Sequence, residues 1–77
     1  MTDAHIATIP KNSREEVRIY LGEFKGALSL DIRTYAATSG GKPVATPKGV
    51  SLKVDRLPQL VDALTAAQQA LLAIPSV

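Results

Sequence analysis

Arg18, Tyr20, Lys25, Arg33 and Tyr35 are the side chains of this 77-residue sequence with the clearest chemical use. Guanidinium and ammonium groups neutralise phosphates, with a salt-dependent gain from counterion release. Flat rings accept unstacked bases, each stacked base being worth about 1–3 kcal/mol with little sequence preference. Val17, Ile19 and Leu21 alternate with Arg18 and Tyr20, and Leu28, Leu30 and Ile32 alternate with Ser29, Asp31, Arg33 and Tyr35. A period of two is that of a strand with one buried and one wet face. All five residues share the outward parity if the glycine breaks at Gly22 and Gly26 keep register. Lys48 and Lys53 lie close in sequence to the last strand, and Asp31 is the only acid on the second. Two readings follow. One is a surface for single-stranded nucleic acid; the other is an ordinary solvated sheet face, since Arg, Lys, Tyr and Thr all suit a half-exposed strand.

The elements that would position these residues occupy most of the chain. Residues 1–14 carry Pro10, Asn12 and Ser13 without periodicity and read as a flexible tail, in which the only histidine, His5, is simply solvated. A first strand runs over Glu16–Leu21. Gly22-Glu23 reads as a turn or bulge, which puts Phe24 inward with Leu28. A second strand covers about Gly26–Ala37 and ends at the turn signal Thr38-Ser39-Gly40-Gly41. Lys42–Ala45 could form a short third strand, held to an edge because Pro43 and Pro47 cannot donate to a ladder. Val50–Lys53 makes a fourth. The period then changes: Leu57, Leu60, Val61, Leu64, Ala67, Leu71 and Leu72 recur at three and four, the stripe of an amphipathic helix over about Asp55–Ala73. Asp55 is the expected N-cap, Pro58 falls in the first turn, and Ile74-Pro75 ends the helix. The order is four strands and one helix, an α+β domain over residues 15–77.

One domain of this length buries a small core. An apolar share of 45 % with no cysteine to staple the fold predicts an oligomer. The helix can cover part of the sheet, and a second copy is the expected cover for the rest, most simply as a two-fold dimer through Leu57, Leu60, Val61, Leu64 and Leu71. A net charge of +2 is only mildly basic. No apolar run reaches membrane-spanning length, the N-terminus lacks the pattern of a secretory signal, and the lack of cysteine suits the cytoplasm. An enzyme is not expected. There is no histidine outside the tail, Asp31 and Asp55 have no partner carboxylate, and Gly40-Gly41-Lys42 lacks the full spacing of a phosphate loop. Neither cofactor nor metal is called for.

Three blocks in order carry a family resemblance: Glu23-Phe24-Lys25-Gly26; Leu30-Asp31-Ile32-Arg33 with Tyr35 two residues further on; and Pro47-Lys48-Gly49-Val50-Ser51-Leu52, followed by a helix. Over residues 16 to about 66 the chain resembles the C-terminal domain of the transcriptional coactivator positive cofactor four, also called p15, in its compact bacterial form. The resemblance implies a curved four-stranded antiparallel sheet followed by one helix, dimerised largely through the helices. It implies paired channels for single-stranded DNA or opened duplex, without marked sequence preference, and a role in transcription regulation. In a bacterium, that would place the protein with the nucleoid. Carried over by position, Phe24 is a base-stacking ring at a bend, and Lys25, Arg33 and Lys48 are phosphate contacts. The chain departs from the family at Ala36, where a tryptophan is frequent, and at Ala27 and Val44, where lysines are. A second stacking platform is lost, which Tyr20 and Tyr35 are not expected to replace, and weaker binding is therefore expected, with Arg18 and Lys42 as compensating contacts. Two alternatives stand beside the DNA reading: RNA binding, since rings and cations do not report on the 2′-hydroxyl, and a dimeric interaction module that contacts the transcription machinery.

Overall fold

The computed structural model describes residues 3–74. Its sheet is built from β1 (Ala4–Pro10), β2 (Glu15–Phe24), β3 (Ala27–Ala36) and β4 (Val44–Lys53), in the spatial order β1-β2-β3-β4. All three pairings are antiparallel. A single 3₁₀ turn, Val54–Arg56, leads into one helix, α1, Leu57–Ala73. The expected architecture, four antiparallel strands and one helix, is thus present, although its strands differ from the expected ones.

Three boundaries correct the sequence reading. The segment expected to be a tail holds β1, which pairs along β2 from Ala4↔Leu21 to Pro10↔Glu16. β2 does not stop at Gly22: it runs unbroken to Phe24, and the reversal falls on Lys25 and Gly26, with φ of 53° and 78°. Two successive residues at positive φ make the type I′ pattern whose twist matches the flanking strands. The expected short third strand and the fourth are one element, β4, interrupted by a bulge. Arg33 pairs with Gly49 and Tyr35 with Ala45, so Thr46, Pro47 and Lys48 stand opposite Thr34. The proline sits where no ladder donor is needed.

The apolar face carries Val17, Ile19, Leu21, Leu30 and Ile32. Among the described residues, Leu30 is the one buried apolar side chain and Thr34 the one buried polar side chain. The reason is the position of the helix. α1 packs against the 3₁₀ turn and not across the sheet, contrary to the expectation that it would cover part of it. Leu57 and Leu60 are half-buried, while Val61, Leu64, Leu71 and Leu72 are 52 %, 57 %, 66 % and 81 % exposed. Val61, Leu64, Ala67 and Leu71 line an open apolar groove along the helix. Asp55 is not the N-cap: it lies in the 3₁₀ turn, and Arg56 takes the cap position without a side-chain hydrogen bond. Pro58 occupies the first turn as expected. The helix closes with the Ile74 N–H donating to Leu71 O at 3.2 Å; Pro75, expected to help end it, lies outside the described residues.

Candidate nucleic-acid interface

Register places the polar side chains. Arg18 pairs with Arg33, Tyr20 with Asp31 and Glu16 with Tyr35, so all six project from one face. The same parity carries Phe24 to the end of that face. It was expected inward, but an unbroken β2 gives it the parity of Arg18 and Tyr20, and it is 61 % exposed. The Lys25 ammonium, at the hairpin tip, lies 5.4 Å from the centre of the Phe24 ring.

The central side chains are locked to one another. Tyr20 and Tyr35 lie side by side, ring centroids 6.2 Å apart and tilted by 37°. The Arg18 guanidinium covers the Tyr35 ring at 4.5 Å, while its Nε donates to Glu16 Oε2 at 2.5 Å. Arg33 is more tightly held. Its Nε and Nη2 donate to the two Asp31 oxygens at 3.1 and 3.0 Å, and its Nη1 to Thr46 O at 2.9 Å. Ser51 Oγ also donates to Asp31 Oδ1, at 2.7 Å. The path of Arg33 across β4 is kept open by Gly49, where a Cβ would stand 2.6 Å from Ile32 O and 3.1 Å from Arg33 Cβ. Thr46 braces the bulge by donating from Oγ1 to Thr34 O at 2.8 Å and accepting from the Lys48 N–H at 3.2 Å.

These contacts set the ionisation of the face. Hydrogen bonding from Arg33, with help from Ser51 and the nearby positive charge, holds the Asp31 carboxyl below the usual carboxylate range despite partial burial. Arg18 and Arg33 are raised above their ordinary value chiefly by their hydrogen bonds to Glu16 and Asp31. Desolvation, followed by the neighbouring Tyr20, pushes the Tyr35 hydroxyl up. The shallow depression at the middle of the face is lined by Tyr20, Phe24 and Tyr35, with the carboxylates Asp3, Glu23 and Asp31 against the single guanidinium of Arg33.

Sequence-predicted cations therefore fall into two groups. Arg18 and Arg33 are central and paired. Lys25, Lys42 and Lys48, together with Arg14 and Lys53, make no ion pair among the described residues and stand around the rim. Lys42 is exposed in the β3–β4 loop. Lys48, in the bulge, is not gathered with Arg33; its charge is felt instead by Glu15. The β3–β4 loop adjoins the β1–β2 turn, where the Ala37 N–H donates to Arg14 O at 2.8 Å, so Arg14 and Lys42 come from adjoining segments. Sequence reasoning missed Arg14, Thr46, Gly49 and the β1 side chains. Only Gly49 had a signal, as a glycine inside a strand run.

Comparison with known proteins bears on the family and the fold. The model of the family Transcriptional Coactivator p15 (PC4) matches residues 11–63. The crystal structure of a PC4 homolog from Burkholderia pseudomallei is similar at 25 % identity and a TM-score of 0.78, covering 87 % of this chain and 90 % of that one. A bacteriophage T5 homolog of the eukaryotic coactivator PC4, implicated in recombination-dependent DNA replication, is similar at 25 % identity and a TM-score of 0.72, covering 91 % and 81 %. No curated protein matches significantly.

Proposed function

The chain belongs to the transcriptional coactivator p15 (PC4) family, and from that membership we propose that it is a homodimeric, sequence-nonspecific single-stranded DNA-binding protein that acts in transcription regulation or on opened DNA. The family is one of DNA-binding, coactivator-type proteins without enzymatic activity. The observation that carries the reading is the uncovered polar face, on which Tyr20, Tyr35 and the exposed Phe24 share one side of a sheet rimmed by cations that make no ion pair among the described residues. Bases would lie on the rings, while Lys25, Lys42 and Lys48 would meet phosphates at the rim. Arg33 would contribute through its fixed charge more than through free donors. Single-stranded DNA is favoured over duplex because stacking needs unpaired bases. With alanine at position 36, stacking depends on rings elsewhere on the face. No described helix is long and apolar enough to cross a membrane, and the nucleoid or cytoplasm is the proposed location.

The test is fluorescence anisotropy with labelled oligo(dT) of about 20 nucleotides, long enough for one groove, against matched duplex and RNA at two salt concentrations. Preferential single-strand binding is expected, with log K falling against log salt at a slope of roughly −2 to −3, the value for three to four phosphate contacts. Tighter binding to RNA would move the substrate to RNA. No oligonucleotide affinity at low salt would refute the reading and leave a dimeric module that contacts the transcription machinery.

A further inference from the structure

We propose that the edge strand β1 supplies a fourth ring, His5, to the surface that takes unstacked bases; this rests on the single-strand reading above and adds a residue to it. The His5 imidazole lies against Tyr20, centroids 4.9 Å apart and planes at 30°. Tyr20 adjoins Tyr35, which Arg18 covers. Flat groups from β1, β2 and β3 thus form one row across the sheet. His5 is exposed and stands at its outer end, on an edge strand, with no further ring beyond it among the described residues.

A β-bulge puts it there. Ala7 pairs with Ile19 and His5 with Tyr20, leaving Ile6 as an extra residue. In a regular ladder, Ile6 would face Tyr20 and His5 would face Leu21, on the apolar side. One added residue moves His5 to the opposite face. The sheet gives up a regular pairing for this and leaves Ile6 55 % exposed. The ring is then fixed in orientation: Nε2 lies 3.1 Å from Ala7 O and 2.8 Å from Thr8 Oγ1. A carbonyl can only accept, so Nε2 carries the hydrogen. An imidazole held flat at the end of a row of rings is a stacking platform for a nucleobase of any type.

The experiment uses the whole chain and oligo(dT). His5 is the only histidine, so its ring C–H resonances are unambiguous in a proton spectrum. On titration with oligo(dT) those signals are expected to shift in step with saturation. His5→Ala is expected to weaken binding roughly five-fold or more, the lower end of the loss of one stacking ring, and His5→Phe to recover it. Unmoved His5 resonances at saturation overturn the proposal, even if His5→Ala fails to fold. So does a folded His5→Ala that binds like the wild type while Phe24→Ala does not. If the wild type binds no oligonucleotide, the failure belongs to the single-strand reading, and the His5 assignment falls with it.

Discussion

Arg33 directs Nε, Nη1 and Nη2 at acceptors of its own chain, so its role in binding is set by Asp31. Replacing Asp31 by Asn removes a negative charge from the middle of the face and frees the guanidinium. Oligo(dT) affinity at low salt is expected to rise roughly two- to five-fold, while stability falls by about 1 kcal/mol, the scale of a partly exposed pair. The pH dependence has a definite sign. The folded carboxyl is held below its ordinary value, so the stabilisation is complete above the unfolded-state pKa and disappears as pH falls through the folded one. Melting of the wild type and the Asn variant should therefore differ at pH 7 and converge under strongly acidic conditions. Lys25 makes the opposite trade. It holds φ of 53°, a region that suits Asn better than Lys. Lys25→Asn should raise stability by about 0.5 kcal/mol and lower oligo(dT) affinity, both readable in one melt and one titration. The parity of Arg33 and Asp31 was plain in the sequence. That of Phe24 was misread, because Gly22 looked like a break and is an ordinary strand position beside Ser29.

The elements were legible where their period is regular. The helix stripe from Leu57 to Leu72 and the alternation through β2 and β3 follow directly from residue spacing. β1 was hidden by the bulge at Ile6, which breaks its period of two within seven residues. β4 was split on the page by Pro47, which the bulge accommodates. Both misreadings have one cause: irregular edge strands lose the signal by which strands are recognised. The β3–β4 contact also yields a sharp prediction. A methyl group at Gly49 would meet the backbone oxygen of Ile32 at 2.6 Å, where nothing flexible can yield. Gly49→Ala is expected to cost roughly 1–3 kcal/mol and to displace Arg33 from Thr46. A lowered melting temperature with weakened oligo(dT) binding is the expected result.

At the scale of the whole molecule, the one buried apolar side chain among the described residues cannot hold a domain of this size together. The sheet's apolar face and the helix groove must gain a partner, and the proposed partner is a second copy. Stability should then depend on protein concentration, with the melting midpoint rising on concentration. Leu64→Asp, in the centre of the helix groove, should give a monomer or an unfolded chain in light scattering and circular dichroism. A stable folded dimer of that variant would place the contact elsewhere.

The two edges of the sheet have a further consequence. β1 carries the bulge at Ile6 and ends at Pro10, while β4 carries the bulge that holds Pro47. Each interrupts the row of free N–H and C=O groups that an incoming strand would need. Copies can therefore meet through faces and helices but are hindered from adding edge to edge. The same irregularities that place His5 and let Arg33 reach Thr46 also protect an open, thinly covered sheet from growing into fibrils.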